Sequence, residues 1–402
     1  MRIRDLGYNP GVKPTGQTNS ILDVPGVGIS QVTVPTTANA EAIAKEKGKP
    51  CAKKGLTVLL PRPAEKCHLP SYAATHIFNG NGELTGRAPV ADWGFINMPI
   101  VLTNSCSLGI CYDSAQDFMY DLYNKHDFNL MDMARNYGTP VVGETADWWI
   151  NSDIRATKIG PSDVKKCFEG IKTREEGGEV LEGSYGGGAG MTCNGYKGGT
   201  GTASRLIGGE FGGTEYVLGV LVQTNYARTA DLQIGGIPVG PILVKEGEQA
   251  AAEAKKLEVA KGRAEAGSLL VIIMMNAPLL THQLDRLARH ATVGVAQVST
   301  YGVGRTFSGD IYLAVSTAEH EAEQLRNKEG KIGRTTETYT VDVVKNESID
   351  AYFEAVAEAT EEAILNSMVG ARDGMVGLDG TVIEGLPVDR VKELLAKYRV
   401  EV

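Results

Sequence analysis

Few residues in this 402-residue chain have the types and spacing that chemistry requires. The six histidines (His68, His76, His126, His282, His290, His320) are scattered, and His320-Glu321 lacks the second histidine of a helical zinc site. Cys67-His68 has no partner pair at ligand spacing, so no metal or other cofactor is expected. No GxSxG pentapeptide occurs, which excludes the strand–turn–helix elbow of many serine hydrolases. Ser162-x-x-Lys165 matches SxxK in letters only, because Pro161-Ser162-Asp163 reads as the start and cap of a helix. The glycine-rich run GSYGGGAGMTCNGYKGGTG (183–201) has neither GxxxxGK[ST] nor GxGxxG spacing. It reads as a loop in which glycine allows close backbone approach or positive φ.

What remains is Gly267-Ser268, inside EAGSLLVIIMMN (265–276). Here a charged stretch, Val244–Gly267, turns abruptly into an unbroken apolar strand. A Gly-Ser pair is most often a turn, which accounts for the glycine but not for a hydroxyl standing first on a buried strand. A serine Oγ at this place can attack the preceding carbonyl carbon and form an ester by N→O acyl shift. Water then frees a new N-terminus at Ser268. Glycine at the attacked position removes a hindering Cβ and tolerates strain. The released α-amine, with an ordinary pKa of about 7.7–8, can act as base for its own hydroxyl, so no histidine is required. The 244–267 stretch is then expected to be a flexible, exposed tail that moves aside after scission.

The elements that must position this pair alternate along the chain. Short runs rich in Val, Ile, Thr or Tyr predict strands at Gly28–Val34, Leu56–Leu60, Pro99–Thr103, Pro140–Gly143, Tyr216–Gln223, Leu269–Met275, Ile311–Ser316 and Tyr339–Val344. Helical spacing predicts helices at Ser114–Asn124, from Ser162, at Ser348–Asn366 and at Pro387–Tyr398. Several strands are apolar on both faces, as expected for sheets sandwiched between layers. The hydrophobic pattern resumes at Ser268 without a new start signal, so residues 1–402 read as one domain.

Composition narrows the class. Apolar residues make up 42% and charged residues 22%, which predicts a well-buried globular core. A net charge of −9 argues against a nucleic-acid partner and against a polybasic membrane patch. The longest apolar runs are too short to cross a bilayer, and MRIRDLGYNPGV lacks a secretory h-region, so a cytoplasmic protein is expected. Six cysteines without regular spacing read as reduced, mostly structural thiols.

Several long motifs occur in order: NGNGELTG (79–86), VLTNSCSLG (101–109), PVVGET (140–145), EGSYGGGAGMTCNGYKGGTGTASR (182–205), GVLVQTNYAR (219–228), GSLLVIIMMNAPL (267–279) and SGDIYLAVSTA (308–318). Together with the opening RDLGYNPG they resemble the DmpA-type family of self-processing peptidases, the L-aminopeptidase/D-amidase-esterases and β-aminopeptidases, over nearly the whole chain. The resemblance implies a mixed α/β fold, a four-layer αββα sandwich like that of N-terminal nucleophile hydrolases. It implies scission between Gly267 and Ser268 into an α chain (1–267) and a β chain (268–402), assembled as a homo-oligomer, typically four αβ units. Ser268 would be the nucleophile and Asn225, in QTNY, the oxyanion-hole amide. Ser308 and Asp310, in FSGD, would support the serine, and Glu144 would receive the free amine of a small peptide or amide substrate. Where the family often has a tyrosine two residues after that glutamate, this chain has Ala146. A pantetheine-type amide hydrolase and an acyltransferase share the fold, though acyltransferases of the ornithine type use threonine as nucleophile. A non-catalytic binding relative would sit poorly with Ser268, Asn225, Ser308 and Asp310 all being present.

Overall fold

The structure, a computed structural model, describes residues 1–35, 53–125, 138–148, 150–151, 159–208, 213–253, 267–318, 338, 340–378 and 381–398. In chain order the elements begin with β1 (Gly28–Pro35), β2 (Lys53–Leu60), β3 (Ser71–Gly80), α1 (Arg87–Trp93), β4 (Phe95–Ile96) and β5 (Ile100–Asn104). Then come α2 (Leu108–Lys125), β6 (Val141–Thr145), α3 (Pro161–Glu169), β7 (Lys172–Thr173), β8 (Thr192–Cys193), β9 (Tyr196–Lys197), β10 (Thr200–Gly208) and β11 (Glu215–Asn225). The chain closes with α4 (Val239–Glu253), β12 (Gly267–Met275), α5 (Thr281–Ser299), β13 (Ser308–Ser316), α6 (Asp350–Gly370), β14 (Met375–Val376), β15 (Val382–Ile383) and α7 (Val388–Tyr398).

Side-chain alternation along these strands dictates the layering. One sheet has the order β6-β5-β2-β1-β7 and the other β10-β11-β12-β13-β3-β4. Leu59, Ile100, Leu102 and Val141 of the first sheet meet Leu221, Leu270, Ile272, Ile311 and Leu313 of the second in one buried cluster. The opposite face of the first sheet (Leu56, Val58, Val101, Val142) packs on Cys111 and Ala115 of α2 and Val164 and Cys167 of α3. The opposite face of the second (Leu269, Val271, Ile273, Tyr312) packs on Leu284 and Leu287 of α5 and Val356 and Ala363 of α6. The result is the expected four-layer αββα sandwich, with β12 buried along its whole length.

Most of the expected strands and helices are present at or near their expected places, while others, helix α5 among them, were not expected. Residues 340–344 form no strand: the Val344 N–H bonds the loop carbonyl of Pro278 at 3.0 Å, while Tyr339 lies outside the described residues. The α3 helix starts at Pro161, with Gly160 as N-cap and Asp163 accepting the Gly160 N–H at 2.9 Å, so Ser162 is not the cap. Part of the predicted exposed tail is helix α4, as its Ala, Glu and Gln content favours; Arg390 of α7 clamps its Glu246 with bonds of 2.6 and 3.1 Å. Residues 254–266 lie outside the described residues.

Two strands without an obvious pattern, β3 and β10, complete the second sheet. β10 reads TGTASRLIG, small and polar, because helix α6 lies directly on it. A Cβ at Gly201 would stand 1.9 Å from the Ala363 carbonyl and 2.8 Å from the Ser367 nitrogen, both helix backbone. Among the described residues Cys67, Cys106, Cys111, Cys167 and Cys193 are free thiols, and no helix is long and apolar enough to cross a membrane. Overpacking at a backbone contact costs about 1–3 kcal/mol, so Gly201→Ala lowers the urea midpoint correspondingly. An unchanged midpoint would show that α6 is free to slide.

Candidate active site

The site lies where the second sheet's central strands begin or end together. β12 runs antiparallel to β11 and parallel to β13. This register sets Ser268 opposite Asn225 on one side and opposite Gly309 on the other. Ser268 shares its face of β12 with Leu270 and Ile272, so it points into the layer between the sheets. It is buried there, 5% exposed, and its hydroxyl donates to the Gly267 carbonyl oxygen at 2.7 Å. The candidate nucleophile thus lies against the peptide group it would attack.

Asn225 is held at both ends of its amide. Oδ1 accepts from the Thr192 N–H at 3.1 Å and from Thr192 Oγ1 at 3.3 Å. Nδ2 donates one hydrogen to the Ala146 carbonyl at 2.6 Å, leaving the second for a ligand. The 146 position therefore contributes through its backbone.

Glu144 sits on the facing sheet, at the end of β6. Oε1 accepts the Glu83 N–H at 2.9 Å, and Oε2 accepts the Ser105 hydroxyl. The carboxylate is half-buried and forms no ion pair among the described residues, so it retains capacity for a cation. Gly82 bridges it to the nucleophile's neighbouring strand: a Cβ there would stand 3.1 Å from Gly309 Cα and 3.6 Å from Glu144 Oε1. One residue before Glu144, Gly143 makes room for Leu270, whose Cδ1 lies 2.7 Å from where a Cβ would be.

Ser308 and Asp310 pair with each other, Oγ to Oδ1 at 2.7 Å, and Asp310 Oδ2 accepts the Gly304 N–H at 2.6 Å. Strand alternation sets both on the α5 face of the sheet, beside Gly267, while the Ser268 hydroxyl donates to the Gly267 carbonyl. Burial raises the Asp310 carboxyl above its ordinary value, against these two hydrogen bonds, which pull it down. The structure thus brings Ser268, Asn225 and Ala146 into one connected group, sets Glu144 across the interlayer, and places Ser308–Asp310 beside Gly267.

A family model described as peptidase family S58 matches residues 19–383. The chain belongs to peptidase family S58. It is 35% identical to the β-peptidyl aminopeptidase BapA of Sphingosinicella microcystinivorans over 99% of this chain and 92% of that protein. Among solved structures, a Burkholderia sp. β-aminopeptidase is 34% identical, with all of both chains covered and a TM-score of 0.77. The L-aminopeptidase D-Ala-esterase/amidase of Ochrobactrum anthropi, described as a variant of the Ntn hydrolase fold, is 32% identical with a TM-score of 0.79, covering 99% of this chain and 98% of that one. This S58 peptidase is accordingly a hydrolase of the aminopeptidase and amidase type with an Ntn-like fold.

Thr192, Ser105, Gly82 and Glu83 are site residues that the sequence alone does not single out. All four lie within the ordered motifs, yet a lone threonine or serine in such a run carries no signal until another strand's side chain meets it.

Asp310 yields a pH test. Its folded-state value is raised, so between the ordinary aspartate range and that value the folded protein holds a proton the unfolded chain has released. Stability from this group therefore falls as pH rises through that window. Asp310→Asn removes the effect: in thermal melts, stability of the variant minus wild type climbs as pH rises above the ordinary aspartate range. A flat difference would contradict the raised carboxyl.

Proposed function

We propose that this S58 member is a self-processing serine aminopeptidase in which Ser268 cuts first its own chain and then substrate. In the first step the Ser268 Oγ–carbonyl bond forms as the Gly267–Ser268 C–N bond breaks, and water hydrolyses the ester. This leaves residues 1–267 and 268–402 as α and β chains of one αββα unit. In catalysis the freed α-amine accepts the hydroxyl proton and returns it to the leaving amine. An acyl-enzyme on Ser268 follows, and water releases it. The second Asn225 N–H meets the oxyanion, Glu144 receives the substrate's ammonium, and Ser308–Asp310 steadies the new N-terminus.

The observation that carries this reading is the Asn225–Ser268 register, with the Asn amide held at both ends. A Glu144 carboxylate without an ion pair among the described residues supports the demand for a free amine. The activities of the relatives, β-aminopeptidases and an L-aminopeptidase D-Ala-esterase/amidase, support acceptance of β-residues alongside α-residues, in short peptides, amides or esters. We further propose a cytoplasmic homo-oligomer, with four αβ units favoured; light scattering that returns a single αβ unit would refute the assembly.

Wild type is expected to give two bands on a denaturing gel, the smaller one starting Ser-Leu-Leu, whereas Ser268→Ala gives one band and no hydrolysis of aminoacyl or β-aminoacyl p-nitroanilides. Gly267→Ala slows scission as well, because its Cβ would stand 2.8 Å from Tyr226 Cα and 2.9 Å from the Asn225 carbonyl. A wild-type band that stays intact on long incubation would sink self-processing. A charge-assisted bond contributes about 1.5–3 kcal/mol, so Glu144→Gln lowers kcat/KM about 10–100-fold. If N-acetylated substrates are cut as fast as free amines, the Glu144 assignment is wrong.

A further inference from the structure

Lys197 is fully buried within the glycine-rich segment and pairs with no carboxylate among the described residues. Its Nζ donates to three backbone carbonyls, Met191 and Gly198 at 2.7 Å and Gly188 at 3.4 Å. The Met191 oxygen belongs to the same peptide unit as the Thr192 N–H, which donates to Asn225 Oδ1 at 3.1 Å. Gly198 N–H adds a second donor to that oxygen, also at 3.1 Å. One peptide therefore carries the lysine on its oxygen and the asparagine on its nitrogen.

Two physical consequences follow. A peptide is planar, so fixing its C=O direction fixes its N–H direction, and with it the point where Asn225 Oδ1 must lie. Donors on the oxygen also polarise the unit and strengthen the N–H as a donor, since linked hydrogen bonds reinforce one another. An Asn amide is nearly symmetric in shape but opposite in polarity at its ends. Turned over, it would aim an oxygen at a developing oxyanion and repel it. A buried lysine is a costly way to satisfy three carbonyls; burial, aided by nearby Lys53, pulls its pKa down to about 7. Satisfying backbone alone would not call for an ionisable group here.

We propose that Lys197 is a positioning residue that sets the amide orientation of Asn225 through the Met191–Thr192 peptide. The inference rests on Asn225 being the oxyanion donor. Losing one such donor costs about 10²–10³ in kcat, and misorienting it costs part of that.

The test is a double-mutant cycle of Lys197→Met with Asn225→Ala on an aminoacyl p-nitroanilide. Rates are counted per free Ser268 N-terminus; for a variant that stays uncleaved, the first-order rate of 267–268 scission is read instead. Lys197→Met is expected to lower the rate about 10–100-fold with KM within about twofold, and to add less than about threefold once Asn225 is alanine. An equal factor in both backgrounds, or no loss in the wild-type background, overturns the proposal. If Asn225→Ala itself leaves the rate unchanged, the oxyanion assignment fails, and this inference with it. Should Lys197→Met not fold, Lys197→Gln, which keeps two N–H donors, is carried through the same cycle, where a loss confined to the Asn225 background supports the proposal and an equal loss in both overturns it.

Discussion

Everything at this site depends on the register of one strand. β12 is pinned between an antiparallel and a parallel neighbour and buried on both faces. A slip by one residue would send Ser268 to the α5 side and every apolar residue after it to the wrong cluster. Burial of Leu269 to Met275 in two different cores therefore doubles as the device that aims the hydroxyl. Gly267 closes the strand's start from the other side, because the Tyr226 backbone occupies the space of any side chain. The same close approach that demands glycine also leaves the Gly267 carbonyl, which the Ser268 hydroxyl meets, unshielded by a Cβ.

The glycine-rich segment is the second support, and it works by proximity. Gly187 fits only because it has no Cβ: one would stand 2.1 Å from Gln223 Oε1 and 2.6 Å from the Leu102 carbonyl. This lets the loop thread between the two sheets and deliver Thr192 to Asn225. Gln223, two residues earlier on β11, reaches across to the Thr103 carbonyl and Thr145 Oγ1, both at 2.8 Å. It ties the strand carrying Asn225 to the strand carrying Glu144. The two halves of the site are thus coupled by hydrogen bonds across the interlayer, where low polarity gives each bond added electrostatic strength.

Much of this was legible in the sequence wherever a single element carried the information. The apolar run after Ser268, the helix-period pattern of α6 and the turn residues around the strands each declare themselves locally. β10 did not, since its small residues serve a helix far along the chain (Gly201 against Ala363 and Ser367). The α4 helix was hidden for the opposite reason: its charge suggested exposure, while its Ala, Glu and Gln content sufficed for a helix that Val239, Ile242 and Leu243 seat on the core and Arg390 of α7 clamps. The candidate nucleophile and oxyanion amide could be named from motifs. Their orientation could not, because Ala146 and the Thr192 N–H act through backbone atoms that every residue type possesses, and Lys197 acts through the backbone of its neighbours.

Backbone contacts also change the meaning of the one departure from the family pattern. Replacing a family tyrosine with Ala146 looks like the loss of a donor from the reacting centre. The contact Asn225 makes with this position, however, is to the carbonyl oxygen, which alanine supplies as well as tyrosine. The asparagine's orientation is therefore insulated from the side chain at 146. What the missing phenol changes is the space at this position, close in the chain to the exposed indole of Trp148 (54% exposed). Variation at 146 should act on which acyl group fits, while the backbone around it keeps the chemistry intact.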